Sequence, residues 1–416
     1  MKRKLLKQIS NEWQSNVWLA VELLIVSVVI WYIADEGYTR LATYNEPRGF
    51  DTEHCYLLGF DMLSEKSPDY VPYESVERQN DDLVALVDRL KTRPEIEAVG
   101  LGQNAYPYNG SNSGTILAVD TFSTGGYCIR RYVSPDFIKV FKYRGVNGET
   151  PEQLADMLSK NPHLFLASDN LFRHQGVEHL DAFVGREFSN SASRDTLELG
   201  AAIEVVRYSD FSQGFYSVSM LWTYPEKYYY QLNELVVRVK DNMDKDFAEN
   251  IMADSWKSLR VGNYYISSVK SFDDIRDQFQ RSNYNDTRNN IVGIVFLLLN
   301  IFLGLLGTFW FRTQQRVSEI AIRKVNGATS GDVFRRMIGE GELLLLVVVP
   351  LAAVLDYALT YFELNSNYGG AYFEPVRFTV CVLISWGLMA LMVALGIAIP
   401  AYKAMKLQPA QALSEE

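Results

Sequence analysis

Histidines, cysteines and stray acids are where chemistry would start in this chain. His174, Glu178 and His179 fall together in "HQGVEH", but their spacing matches none of the ligand patterns a zinc site draws on. The four histidines are otherwise scattered, so no Ser/His/Asp or Cys/His arrangement can be argued and an outer hydrolase is not favoured. Cys55 and Cys128 lie in a segment where a disulfide is chemically permitted, a pairing the sequence leaves open, while Cys381 sits in an apolar run. No G-x-x-x-x-G-K-[ST] occurs, so there is no phosphate cradle. Glu22 and Asp356 are acids inside apolar runs, open to a functional role or to a polar contact within a helix bundle.

The elements around these residues explain why enzymatic patterns are scarce. The 416 residues average a mean hydropathy of −0.07, a value that hides two populations. "NNIVGIVFLLLNIFLGLLGTFWF" (289–311) is uncharged between Arg288 and Arg312, and at ~1.5 Å per residue such a helix covers the ~30 Å hydrocarbon core. Three further runs qualify: 17–34 with one charge at Glu22, 343–362 with Asp356 and Pro350, and 378–402. The first follows Lys2, Arg3, Lys4 and Lys7 like a secretory signal, but it is long for one and no small-x-small site follows, so an uncleaved anchor is expected. In the leader (1–16) Leu5, Leu6, Ile9 and Trp13 share a helical face, a pattern open to an interfacial helix or to a basic flank that only sets topology.

Short-loop basic residues set orientation. The leader has four, the 312–342 loop six, the 403–416 tail two, and the 363–377 loop only Arg377. Both termini and the 312–342 loop are therefore expected in the cytoplasm, with residues 35–288 outside. That outer segment carries 27 Lys and Arg against 39 Asp and Glu, a net −12, which argues against a nucleic-acid partner. Its pattern predicts α+β structure. "DDLVALVDRLKTRPEIEAVGL" reads as helix then strand, and "ELVVRVK", "DKDFAENIMADSWKSLR" and "NYYISSVKS" as strand, helix, strand. These form two strand-helix-strand units that could pack as one subdomain, flanking an insertion at about 100–233 with strand-like pieces such as "GTILAVDTF". The aromatic run "LWTYPEKYYYQL" (221–232) is open to binding a partner or to tyrosines on a strand face that pack or pair across strands. The fold class expected is thus an α-helical membrane protein: four transmembrane helices, with a large α+β extracytoplasmic domain between the first and second spans.

Between two spans lies "RVSEIAIRKVNGATSGDVFRRMIGEGELLL" (316–345). Val317, Ile320, Ala321 and Val325 fall at helical spacing, with Glu319, Arg323 and Lys324 elsewhere. Asn326-Gly327 predicts a left-handed stop, and Thr329-x-x-Asp332 an N-cap for a helix carrying Val333, Phe334, Met337 and Ile338 into the next span. A helix, a break and a second helix make a handle on that span; a solvated connector obeying the positive-inside rule is the plainer alternative. In the second run Gly293, Asn300, Gly304 and Gly307 share a face suited to close helix packing, within the protomer or at a dimer seam.

"SEIAIRKVNGATSGDVFRRM" and the terminal "IPAYKAMKLQPAQALSEE" resemble the MacB-like ABC transporter permeases, relatives of the FtsX- and LolE-like ones. "YVSPDFIKVFKYRGVNGE", "LASDNLFRHQGVEHLDAFVGREF" and "RLKTRPEIEAVG" are similar to pieces of that family's periplasmic core domain. The resemblance implies an inner-membrane permease, homo- or heterodimeric, that relays the motion of a cytoplasmic ABC ATPase to the periplasm without itself being an enzyme. It implies a coupling contact at Glu319, Ile320, Arg323, Lys324, Gly327, Ala328 and Thr329. With no nucleotide motif here, ATP would be bound by an ATPase on a separate chain, and no cofactor by this one. Efflux through a periplasmic adaptor and an outer-membrane channel is one implied task; lipoprotein release and activation of a cell-wall hydrolase are others. A membrane-anchored periplasmic sensor without transport is the reading from a different class.

Overall fold

The computed structural model describes residues 13–110, 113–125, 128–191 and 196–406. The leader residues 1–12 and the tail from 407, on which two of the expectations above rest, lie outside them. The chain divides into two compact units, Thr43–Tyr284 and Met1–Ala42 with Asn285–Glu416.

The first unit is sheet-rich and begins at the end of α1 (Trp13–Asn45). Strand β1 (Cys55–Met62) leads to α2 (Val76–Lys91), which starts where the Ser75 side chain accepts the Arg78 amide, and then to β2 (Ile96–Gln103). Much later β11 (Glu234–Val239), α5 (Phe247–Asp254) and β12 (Tyr264–Ser271) repeat the pattern. The four strands lie in the order β12-β1-β11-β2, all antiparallel, which is the split βαβ arrangement. Strand β11 is buried along its whole length. Its alternation sends Leu235 and Val237 into a core with Leu83, Leu86 and Leu90 of α2, and Val236 into a second core with Phe137, Ile138 and Leu221.

The stretch between β2 and β11, the expected insertion at about 100–233, extends the same sheet edgewise. Strand β6 (Cys128–Val133) pairs with β2, and the sheet continues through β10 (Ser219–Thr223), β7 (Leu164–Ser168), β9 (Thr196–Ile203) and β8 (Glu187–Asn190). The β6·β10 and β7·β9 pairs are parallel. Helix α4 (Pro151–Lys160), opened by a Thr150–Gln153 capping box and preceded by the short α3 (Phe137–Val140), packs beside them. Three predicted pieces differ. "GTILAVDTF" is broken into β3 (Gly114–Thr115), β4 (Leu117–Val119) and β5 (Phe122–Ser123), because a turn through Asp120, at φ 50°, folds it back on itself. The helix expected over "DKDFAENIMADSWKSLR" covers only Phe247–Asp254. The tyrosines 228–230 sit in a 3-10 turn after Pro225, not on a strand.

Among the described residues four helices are long and apolar enough to cross a membrane, and the second unit holds most of each: α1, α6 (Phe272–Gln315), α8 (Ser330–Tyr361) and α9 (Pro375–Lys406). The short α7 (Val317–Val325) stands between α6 and α8. Leu23, Leu305, Leu345, Val348, Met389 and Val393 form their common core. Helix α8 runs through Pro350 without interruption. Gly341 permits the α8·α9 approach, since a Cβ there would lie 2.4 Å from Ile397 Cδ1.

Candidate coupling site

The α6–α7–α8 corner is built almost wholly from local chemistry. Helix α7 ends at Asn326, whose amide returns to the Ile322 carbonyl, and Gly327 takes φ +92°, which a side chain would strain. Thr329 then caps α8: its hydroxyl accepts from the Asp332 amide at 3.2 Å, and the Asp332 carboxylate accepts from the Thr329 amide at 3.2 Å. The two helices share a small core in which Ile320 and Val333 are buried and Ala328 and Met337 pack around them. A polar strut sits at the other end of α7. The Glu340 carboxylate accepts from Arg316 Nη1 at 2.5 Å and from Arg336 Nε at 3.1 Å, joining the start of α7 to the body of α8. Docked at both ends, α7 is fixed to the long helix it precedes.

Of the predicted contact residues, Glu319 and Arg323 pair one helical turn apart at 3.0 Å and stay half-buried, as does Lys324. Gly327 and Thr329 are exposed. Ile320 and Ala328 belong instead to the α7·α8 core, so Ile320 seats the handle and is covered by α8. Val325, placed by its spacing on the inward stripe, is 65% exposed, and Ile322 beside it 52%. Helical spacing identified an apolar stripe but could not say which residues α8 covers. The signal for the outward pair was present: two large apolar residues three apart, close to a break and flanked by charge.

Among the described residues, the Gly293, Asn300, Gly304 and Gly307 face of α6 meets no other helix. No atom lies within 4 Å of a Cβ built on any of the three glycines, and Asn300 donates only to its own helix at the Phe296 carbonyl, 2.7 Å away. Only 6% of the most apolar stretch of α6 is buried, against 28%, 33% and 33% for α1, α8 and α9. Glu22, by contrast, is used within the bundle, accepting from the Thr308 hydroxyl of α6 at 3.1 Å. Asp356 is buried in α8, and its Oδ1 has no hydrogen-bond partner.

Among the described residues no group of His, Cys, Asp and Glu could hold a metal ion. His179 is drawn to Asp169 at 2.8 Å while His174 meets Gln175, so "HQGVEH" makes no joint site. Cys55, Cys128 and Cys381 are free and buried, and burial pushes the Cys55 and Cys128 thiols up to about 12. They are therefore poor nucleophiles.

Residues 291–409, the stretch containing this corner, match the family described as FtsX-like permease C-terminal. The chain is also similar to the macrolide export ATP-binding/permease protein MacB of Campylobacter fetus subsp. fetus (strain 82-40), at 26% identity over 186 residues. That likeness covers 44% of this chain and 28% of the relative, so the chain spans little more than a quarter of the curated protein it matches. With four helices among the described residues long and apolar enough to cross a membrane, the chain matches an FtsX-like permease domain over residues 291–409 and is similar over part of its length to a macrolide export permease of the MacB type.

Proposed function

We propose that this chain is the permease subunit of a MacB-like ABC transporter that relays the ATP-driven motion of a separate cytoplasmic ATPase to its sheet-rich unit. Its work is efflux of a drug, peptide or other envelope substrate. In this reading the four apolar helices span the inner membrane in contact with lipid, both termini face the cytoplasm and the sheet-rich unit is periplasmic. ATP binds to the partner, and this chain holds no cofactor. A second permease subunit packs on the open α6 face that carries Gly304 and Gly307, where a partner helix could approach closely. A periplasmic adaptor and an outer-membrane channel complete the route.

The observation that carries the reading is the docking of α7. A solvated connector has no need of a helix stop, a capping box, a two-residue core and a bridging glutamate within 25 residues. Together they make α7 a lever fixed to α8, with Ile322 and Val325 left uncovered for a partner. The test is a pull-down of the full chain comparing wild type, the exchange Glu319→Lys/Arg323→Glu, and Val325→Glu. The exchange keeps an i,i+4 ion pair, so helix stability changes by less than about 0.5 kcal/mol. Wild type should bring down an ATPase with ATP turnover, and both variants should lose it while eluting as folded protein. If no ATPase comes with wild type, the relay reading fails and the sensor reading replaces it.

A further inference from the structure

The sheet-rich unit contains a buried charged cluster where its two connecting helices begin and end. Asp210 is 2% exposed. Its carboxylate accepts from the Tyr108 hydroxyl at 2.9 Å and from Arg276 Nε at 2.8 Å, with Arg48 at 3.5 Å. Arg276 lies in the first turns of α6, and Arg48 just past the end of α1. The same loop, residues 205–217, holds α1 a second time. Arg207, 1% exposed, donates to the Glu46 carbonyl at 2.7 Å and to the Asp210 carbonyl at 2.7 Å, and Glu46 accepts from the Gly214 amide at 2.7 Å. Gly49 sits against it so closely that a Cβ would lie 2.2 Å from the Val205 carbonyl oxygen. Around these polar contacts Phe211 packs between Tyr44, at a tilt, and Tyr284, edge-on, and Tyr208 meets Phe279.

We infer that the loop 205–217 is a clamp holding the end of α1 and the start of α6 in one arrangement, with Asp210 as the positioning residue through which their motion reaches the sheet. The inference rests on the relay reading above. Packing of the aromatic rings alone would join the two helices, and burying charge to do so costs desolvation. What the charges add is direction: the Arg276 guanidinium of α6 and the Tyr108 phenol, from the loop after β2, grip one carboxylate from different sides, which fixes the rotation of α6 as well as its distance from the sheet. The loop lies between β9 and β10, two interior strands, and Asn170, two residues past β7, donates to the Gly214 carbonyl at 2.8 Å and the Ser217 carbonyl at 3.2 Å. A shift of either helix end is thereby passed to three interior strands.

The experiment is hydrogen exchange on the full chain, alone and with its ATPase trapped in the ATP state, for wild type, Asp210→Asn and Tyr108→Phe. In the chain alone, Asp210→Asn should speed exchange at 43–50 and 276–284 together by at least about tenfold, the factor that losing a hydrogen bond to a charged group implies, and leave β7 protected. Loosening of one helix end without the other would overturn the clamp, whether or not an ATPase binds. In the complex, ATP should alter exchange at both helix ends and in β9 and β10 of wild type. Asp210→Asn should keep ATPase binding, turnover and the response of the helix ends but lose the response of the strands, and Tyr108→Phe should retain part of it. A merely structural role would not separate these readouts. Strands of Asp210→Asn that respond as in wild type would overturn the inference and leave the relay reading standing. Wild-type helix ends that do not respond to ATP would overturn the relay reading, and with it the part assigned here to Asp210.

Discussion

Each unit of this chain buries an aspartate against an arginine, and the two pairs are finished differently. In the sheet-rich unit both oxygens of Asp210 are hydrogen-bonded, and Arg276 keeps 21% of its side chain exposed. In the helical unit Asp35 of α1 meets Arg377 of α9 at 3.2 Å, with side chains 1% and 2% exposed. There Asp35 Oδ2 accepts from Asn365 and the Ser366 amide, but Asp35 Oδ1, Arg377 Nη1 and Asn365 Oδ1 have no hydrogen-bond partner. The first pair is held by directed hydrogen bonds at the rim of a core. The second depends on mutual charge in a drier place, where removing one member strands the other. A buried ion pair is thus two different devices, one that sets orientation and one that closes a seam.

Breaking the seam should have the largest effect. Arg377→Ala leaves Asp35 buried and uncompensated and should cost about 3–5 kcal/mol, read as the unfolding midpoint of the helical unit in detergent. A loss below about 1 kcal/mol would mean that the two pairs are equivalent after all. Asp210→Asn keeps the shape of its side chain and should cost less, about 1–3 kcal/mol, read on the sheet-rich unit by denaturant unfolding. The smallest effect is that of acid. Burial raises the Asp210 pKa, but hydrogen bonds from Arg276 and Tyr108 outweigh it and hold the carboxyl below its ordinary range. A depressed folded pKa gives stability that is complete above the unfolded value of about 3.9 and lost as pH falls through the folded one. The sheet-rich unit should therefore weaken below about pH 4, with a shallower slope in Asp210→Asn.

What could be read beforehand follows the range of the interactions. The four apolar helices announce themselves by length and composition, and the stop at Asn326-Gly327 and the cap at Thr329 depend on neighbours a few residues away. The inward face of α7 was half legible, because Ile320 and Val325 have the same spacing credentials and only the position of α8 separates them. The aspartate pairs were out of reach. Asp35 and Arg377, or Tyr108, Asp210 and Arg276, are brought together by tertiary pairing that no window of sequence contains. The sheet was partly legible for the same reason: the flanking strand-helix-strand units show as local periodicity, while their edgewise continuation into β6 and β10 does not.

The order of the strands also bears on how the molecule is made. Cys55 of β1 pairs with Arg238, and Tyr56 with both Val237 and Ser271, so the first strand finds its neighbours only among the last two. During synthesis the early strand must wait, its backbone groups unmet, until nearly all of the segment has followed. Such long-range closure is slow and exposes sticky edges. Since β12 runs directly into α6, the last strand to pair is also the one tethered to the next apolar helix. Completion of the sheet and formation of that helix are thus two ends of one assembly step, and a delay in either exposes β1 to aggregation and proteolysis.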